Sequence, residues 1–362
     1  MKYDYLIVGA GFAGSVMAER LATQQNKKVL VVEKRNHIGG NAYDEYNEDG
    51  ILVHKYGPHI FHTNSKEVFD YLSQFTDWIP YEHKVLAKLG DELYPIPINR
   101  LTINKLYNLN LKTDEEVKNY FESLKDKRYP ILNSEDIIVN QVGYDLFEKF
   151  FKHYTKKQWD LEPKELSPSV CGRIPVRTNA DCRYFTDKYQ FMPKDGYTKM
   201  FEKILSHKNI EVVLNTDYKK IADDIKFDKM IYTGPIDYFF DYQFGKLPYR
   251  SIRFEWETLD VVSFQETAVV NYTEDKYEFT RVTEYKKLTN QKNQKTTISR
   301  EYSSSSDDPF YPVLTDNNKM IYEKYKNESE KLKSVSLLDR LAEYKYYNMD
   351  QVVARIISYE QY

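Results

Sequence analysis

The first 32 residues alternate apolar and polar blocks in a way that predicts strand, helix, strand. Residues 3–8 read as a buried strand, residues 12–24 as a helix with Phe12, Val16, Met17 and Leu21 facing inward, and residues 28–32 as a second buried strand. Such a βαβ opening implies a parallel sheet. From about residue 101 to 166 the period becomes helical. "DEEVKNYFESL" is one amphipathic segment, and Ile137, Ile138, Val142, Leu146, Phe147, Phe150, Phe151 and Tyr154 recur at helical spacing in another, with Ser134 as its N-cap. Residues 167–179, "SPSVCGRIPVRTN", carry two prolines, a glycine and two arginines without periodicity and read as a movable loop.

Farther on, "IEVVLN" and "KMIYTG" are short strands placed to rejoin the first sheet. The period then falls to two: "RFEWETL", "VVSFQETAVVNY", "YEFTRVTEY" and "KTTISREY" predict an antiparallel sheet, followed by a polar loop at 303–308. In "YNMDQVVARIIS", Val352, Val353, Ile356 and Ile357 share one side, predicting a last helix capped by Asn348 or Asp350. No apolar run approaches the roughly 20 residues of a membrane span, and no secretory leader is visible, so the cytoplasm is the expected compartment.

Composition narrows the chemistry. At 362 residues the chain is long enough for two or three domains. A net charge of -3, with both signs interspersed, argues against a nucleic-acid partner. The two cysteines, Cys171 and Cys182, lie in no metal-ligand spacing, and no metal is expected. The 33 tyrosines and 19 phenylalanines suit a wet pocket for a polar, ring-bearing ligand.

The sharpest local signal is Gly9-Ala10-Gly11-Phe12-Ala13-Gly14 between the first strand and helix, with Glu33 ending the second strand. Glycine is required where the turn is tight, where backbone approaches a pyrophosphate, and where helix meets strand, while the helix N-terminus favours negative charge. Glu33 is placed to accept hydrogen bonds from an adenosine ribose. The residues after Glu33, namely Lys34, Arg35, Gly39-Gly40 and Asn41, resemble the extended FAD fingerprint. The late helix around Asp350 and Gln351 suits the flavin end of the cofactor, and Arg340 its pyrophosphate.

An amine-oxidase-type flavoprotein fits this much. Later motifs decide against it. "GPHIFHT", "FFKHYTKKQW", "CGRIPVR", "TRVTEYK", "PFYPV" and "LLDRLAEYKYYNMD" occur in an order that resembles the UDP-galactopyranose mutase family of the prokaryotic type, from Tyr5 to Val353. The resemblance implies an α/β fold: a Rossmann-like FAD-binding domain (1–77, 195–245 and 315–362), a helical insertion (101–178) ending in the mobile arginine-bearing loop, and an antiparallel β-sheet domain (78–100, 179–194 and 246–314).

It also implies a flavin-dependent isomerase that interconverts UDP-galactopyranose and UDP-galactofuranose for cell-surface polysaccharide. Reduced FAD is the nucleophile there, attacking the anomeric carbon through N5. The resemblance places Arg173 and Arg281 on the diphosphate, with hydroxyls from Tyr184, Tyr311 and Tyr346. Phe150, Phe151, Tyr154, Thr155 and Trp159 form the uridine wall, and Asn271 is a further pocket residue. His83 stands where relatives often have asparagine, which touches the identity of the sugar. His59 and Ile60 are expected against the flavin, with His59 catalytic, and His62 is expected as a packed polar residue. NAD(P)H or a flavin reductase is the implied electron source and a homodimer the implied assembly. Competing readings are an FAD-dependent amine-oxidase-like oxidoreductase, a mutase preferring UDP-N-acetylgalactosamine, and a non-enzymatic flavin-binding protein.

Overall fold

β1 (Lys2–Val8), α1 (Phe12–Gln24) and β2 (Val29–Val32) form as the apolar pattern requires: Leu6, Ile7, Val16, Met17, Leu21, Val29 and Val31 are all fully buried. A computed structural model describes residues 2–304 and 309–359 of the chain. The described residues fall into two compact units, one from 1–80, 187–251 and 306–362, the other from 81–186 and 252–305.

In the first unit, a five-stranded parallel sheet has the order Ile210–Val213, β2, β1, Lys226–Tyr232, Val335–Leu337. The short strands expected at "IEVVLN" and "KMIYTG" therefore do rejoin the first sheet, one at each side of the β1–β2 pair. Because every strand is parallel, the carboxyl ends of β1, β2 and Val335–Leu337 share one edge, where ligands of doubly wound sheets bind. A smaller antiparallel sheet pairs Phe61–Thr63 and Trp78–Pro80 with Tyr189–Pro193. The last helix, Met349–Ile357, is capped by Asn348, whose backbone N–H donates to Gln351 Oε1 at 2.9 Å.

In the second unit the strands run in the order Tyr249–Leu259, Thr296–Ser304, Arg281–Glu284, Val269–Tyr272, Val85–Leu89, Glu92–Ile96. The sheet is mixed rather than wholly antiparallel, since Val269–Tyr272 runs parallel to Val85–Leu89. These two strands are far apart in sequence, so no hairpin constrains their direction. The helices Ser134–Val142 and His153–Trp159 flank a π-helical turn, Glu148–Lys152, that buries Phe150 and Phe151.

Three local expectations change. The N-cap of Ser134–Val142 is Asn133, whose side chain accepts the N–H of Asp136 at 2.9 Å, while the Ser134 hydroxyl donates to Ser167 O at 2.6 Å. The segment 167–179 is not irregular throughout. Pro168–Gly172 is a short helix seated on Ser134–Val142 through buried Val170 and Cys171, and the N–H of Cys171 donates to Ser134 Oγ at 3.3 Å. Of the polar loop expected at 303–308, Ser303 and Ser304 continue the last long strand and residues 305–308 lie outside the described residues.

Candidate active site and cofactor cavity

The first unit contains a cavity at the carboxyl edge of the parallel sheet, lined by Gly9, Gly11, Phe12, Glu33, Lys34, Gly40, Asn41, His59 and Arg340 among the expected residues. Its floor is backbone. Gly9 has φ +103°, and a Cβ there would sit 2.2 Å from Thr233 Oγ1; Gly40 has φ +56°, and its Cβ would sit 3.0 Å from Gly11 Cα. Gly14 lies outside the lining, but a Cβ on it would stand 1.9 Å from Gly9 O, so it sets how closely α1 approaches β1. α1 begins at Gly11 with no side-chain cap and no acidic residue in its first turn. Its leading N–H groups and positive dipole end therefore suit a diphosphate.

The Glu33 carboxylate is tied down at both oxygens, accepting the N–H of Ala10 and of Arg35 at 2.9 Å each. Arg35 in turn donates to Asn41 Oδ1 at 2.9 Å and lies over the Tyr56 ring. This fixes the segment between the two glycine turns. Arg340 donates to Tyr347 O at 2.7 Å and to Phe310 O at 3.3 Å, which holds its guanidinium beside the Tyr346 ring. A two-residue strand carries buried Tyr311, whose ring centroid is 6.2 Å from that of Tyr346.

Not every expected cofactor residue lines the cavity. Ile60 is buried but absent from the lining, and in the last helix Met349 and Val352 reach the cavity in place of Asp350 and Gln351. Gln351 is exposed and serves the capping box. Sequence reasoning passed over Thr216, Asp217, Tyr238, Phe310 and Asp339, which also line the cavity. All but Tyr238, which sits in the short helix Ile236–Phe239, come from loops between elements distant in the chain, where no local spacing marks them.

His59 is positioned by a second, fully buried histidine. His54 Nδ1 accepts the backbone N–H of His59 at 3.1 Å, and His59 Nδ1 lies 2.9 Å from Gly57 O. A carbonyl only accepts, so Nδ1 of His59 carries the proton, and an acceptor Nδ1 puts the His54 proton on Nε2, 4.0 Å from Asp44 Oδ2. Burial pushes His54 down to about 3, keeping it neutral. Asp44 itself accepts the N–H groups of Tyr197 and Thr198 at 2.6 and 2.8 Å, capping the helix Tyr197–Ile204. His62, expected as a packed polar residue, is half-buried and pairs with Asp187 at 3.0 Å, a partner 125 positions away that the sequence did not reveal. Among the described residues no group of three or more His, Cys, Asp or Glu is arranged to hold a metal ion.

The second unit gathers the other expected site residues. Asn271, Arg281 and Glu301 are direct cross-strand partners on three adjacent strands, and direct partners share a face. Arg281 Nε stands 2.8 Å from Glu301 Oε2, and Glu301 is 1% exposed. Burial pushes the Glu301 carboxyl up, opposed by the guanidinium. Asn271 Oδ1 is buried without a hydrogen-bond partner. Such an atom costs free energy unless a ligand or water satisfies it.

Tyr154 joins this row: burial raises its phenol pKa, and the charges that act on it are those of Arg281, Tyr184, Glu301 and Arg173. Arg173 is exposed at the C-terminal end of Pro168–Gly172. Trp159 and Thr155 are buried, with Thr155 Oγ1 3.5 Å from Cys171 Sγ. Buried His83 accepts the N–H of Tyr184 at its carbonyl, 2.6 Å, and stacks on Phe185. Glu301 and Arg177 are the residues that sequence reasoning missed here. Arg177 donates to the carbonyls of Asp181 and Tyr184 at 3.1 and 3.3 Å and so anchors the segment that bears Tyr184.

The arrangement provides an anion-ready dinucleotide cavity in one unit and two arginines beside tyrosines in the other. Comparisons with known proteins supply the family. The family model described as UDP-galactopyranose mutase matches residues 149–346, and one for NAD(P)-binding Rossmann-like domains matches residues 7–75. The chain is 36% identical to dTDP-fucopyranose mutase of Escherichia coli, covering 98% of this chain and 97% of that one. It is also 36% identical to a probable UDP-galactopyranose mutase of Klebsiella pneumoniae, covering 98% and 93%. For the UDP-galactopyranose mutase of Mycoplasma pneumoniae the figures are 33% identity, 99% and 95%. Among solved structures, a reduced UDP-galactopyranose mutase superposes with a TM-score of 0.76 at 16% identity over 99% of this chain and 93% of that one. A putative protoporphyrinogen oxidase from Exiguobacterium superposes with a TM-score of 0.65 at 13% identity over 97% and 96%, which speaks to the fold alone.

Proposed function

Given that the chain belongs to the UDP-galactopyranose mutase family and is an FAD-binding isomerase of that family, we propose that it interconverts UDP-galactopyranose and UDP-galactofuranose without net redox change. The observation that carries this reading is the cross-strand row Asn271–Arg281–Glu301 beside Tyr154, Tyr184 and Arg173. An amine-oxidase-like enzyme has no use for two arginines set for a diphosphate. A nucleotide-sugar enzyme does.

Reduced FAD, when bound, supplies the nucleophile toward the anomeric carbon through N5. The protein's residues have the other tasks. Arg281, held by Glu301, and Arg173 take the charge that grows on the departing diphosphate; the planar fork of arginine matches phosphate oxygens in pairs. Tyr184, Tyr311 and Tyr346 add hydroxyl donors. Phe150, Phe151, Tyr154, Thr155 and Trp159 hold the uridine, and the orphaned Oδ1 of Asn271 accepts from a substrate hydroxyl or amide. His59, with its tautomer fixed at Nδ1, faces the cofactor cavity and tunes the reduced flavin. The segment bearing Arg173 acts as a lid that closes on UDP and excludes water. NAD(P)H or a flavin reductase supplies electrons, the enzyme works in the cytoplasm as a homodimer, and its product feeds cell-surface polysaccharide.

The decisive experiment incubates dithionite-reduced protein with UDP-galactose and looks for the furanose by chromatography and NMR, with oxidised protein as control. Product from the reduced form alone supports the reading; no product from either form overturns it. A second reading rests on the equal identity to a dTDP-fucopyranose mutase. It keeps the same chemistry and changes the nucleotide and sugar, and dTDP-fucopyranose assayed alongside UDP-galactose and UDP-N-acetylgalactosamine decides among them. His83 is the residue whose identity bears on that choice.

A further inference from the structure

Asp339 is the cavity residue that neither the glycine fingerprint nor the local turn explains. It lies just past the strand Val335–Leu337 with φ +101°, a conformation that glycine adopts freely and side chains rarely do. The backbone is locked there. Its N–H donates to Glu343 Oε2 at 3.2 Å and its carbonyl accepts the N–H of Glu343 at 2.8 Å, bonds that a glycine would make equally well. Asp339 is among the residues that line the cofactor cavity; its carboxylate accepts the N–H of Arg340 at 2.7 Å and is pushed up to about 6 by burial, against the pull of that hydrogen bond and of the Arg340 charge. An acidic residue kept in a glycine conformation, at a cost in both strain and desolvation, points to a ligand contact.

The strand order identifies the contact. Glu33 directly follows β2, one strand from β1, whose end carries the glycine loop; Asp339 comes after a strand two places away on the opposite side. At about 4.8 Å per strand, Asp339 stands roughly 10 Å from the loop. A diphosphate seated on the loop and the start of α1 leaves the adenosine ribose for Glu33 and the polyol chain of the flavin for the other side. A carboxylate repels the diphosphate and accepts from hydroxyls. Resting on the reading of the cavity as an FAD site, we propose that Asp339 is a further cofactor-binding residue whose carboxylate accepts a hydrogen bond from a hydroxyl of the flavin's ribityl chain.

The test titrates deflavinated full-length protein with FAD and with an FAD analogue whose N10 chain lacks hydroxyls, following flavin fluorescence, for the native chain, Asp339→Asn and Asp339→Gly. With Asp339→Gly, FAD is expected to bind about tenfold more weakly, while the deflavinated protein melts no lower than the native. The analogue should lose affinity for the native chain and differ little from FAD on the glycine variant, with Asp339→Asn between. The proposal falls if Asp339→Gly binds FAD as tightly as the native chain. It also falls if the analogue loses the same factor on both proteins, or if the glycine variant melts lower and binds both ligands equally poorly. Failure of the native chain to bind FAD overturns the cofactor reading and this proposal together; tight native binding with no effect of Asp339→Gly overturns this proposal alone.

Discussion

In the first unit, Gly9, Gly11 and Gly40 bring main chain up to the cavity and α1 presents uncapped N–H groups. In the second, Asn271, Arg281 and Glu301 project from three strands beside Tyr154. One region rests on close backbone approach, with no room for an added atom at Gly9 or Gly14; the other is built from side chains and depends on their charge and reach. The two should therefore fail differently. Loss of fit in the first should expel the cofactor, whereas loss of a charge in the second should leave the cofactor in place and stop the chemistry.

The largest expected effect is from Gly14→Ala. Its methyl would stand 1.9 Å from Gly9 O, backbone that cannot yield without moving α1 from β1. A cost of about 3 kcal/mol, with no flavin retained after purification, is expected; a yellow, active variant would break the contrast. Next, Arg281→Ala should lower turnover of the reduced enzyme by about 10²–10³ while flavin content stays native. Arg281→Lys should recover only part of this, because lysine keeps the charge and lacks the fork. Steady-state kinetics alongside flavin absorbance reads both, and loss of flavin in Arg281→Ala would show that the regions are not separable in this way.

A third measurement concerns the buried pair behind His59. Folded His54 takes a proton only near 3, and the unfolded chain near 6.5, so its contribution is complete above pH 6.5 and is lost as pH falls toward 3. Asp44, raised by burial, works in the opposite sense. The comparison with His54→Asn, which keeps an acceptor for the His59 N–H, isolates the histidine. Between pH 6.5 and 4.5 the native chain should lose about 2 kcal/mol more than the variant in urea unfolding. Equal slopes would mean that His54 is already protonated in the folded protein. The smallest effect is from His62→Ala, which removes the pair with Asp187 between partly exposed side chains and should cost about 0.5–1 kcal/mol with little change in turnover. His59→Ala should instead impair turnover, and a reversal of that order would remove His59 from the site.

Legibility divided along the same line. The glycine loop and Glu33 lie within 25 residues of one another, and a tight βαβ turn permits so few residue types that their spacing alone points to a dinucleotide. Asp339, Thr216 and Phe310 line the same cavity from elsewhere in the chain, and a polar or aromatic residue after a distant strand has no local signature. Arg281 was reached through family motifs, but its partner Glu301 was not, since period-two alternation places a residue on a face without saying which residue lies across the strand. Likewise Asn133 rather than Ser134 capping a helix is a one-residue choice that hydrogen-bond geometry makes.

By itself the sequence determined the βαβ opening, the parallel sheet with its dinucleotide edge, the later change to period two, and the family. Each depends on residues near one another in the chain, where steric and hydrophobic constraints act directly. Only the tertiary structure decided that His62 belongs to Asp187, that buried His54 accepts the backbone N–H of His59, that Glu301 holds Arg281, and that an aspartate occupies a glycine conformation in the cofactor cavity. The His62 and Arg281 pairings arise when separate strands are brought into register, and all of these energies depend on burial and distance that no linear pattern carries.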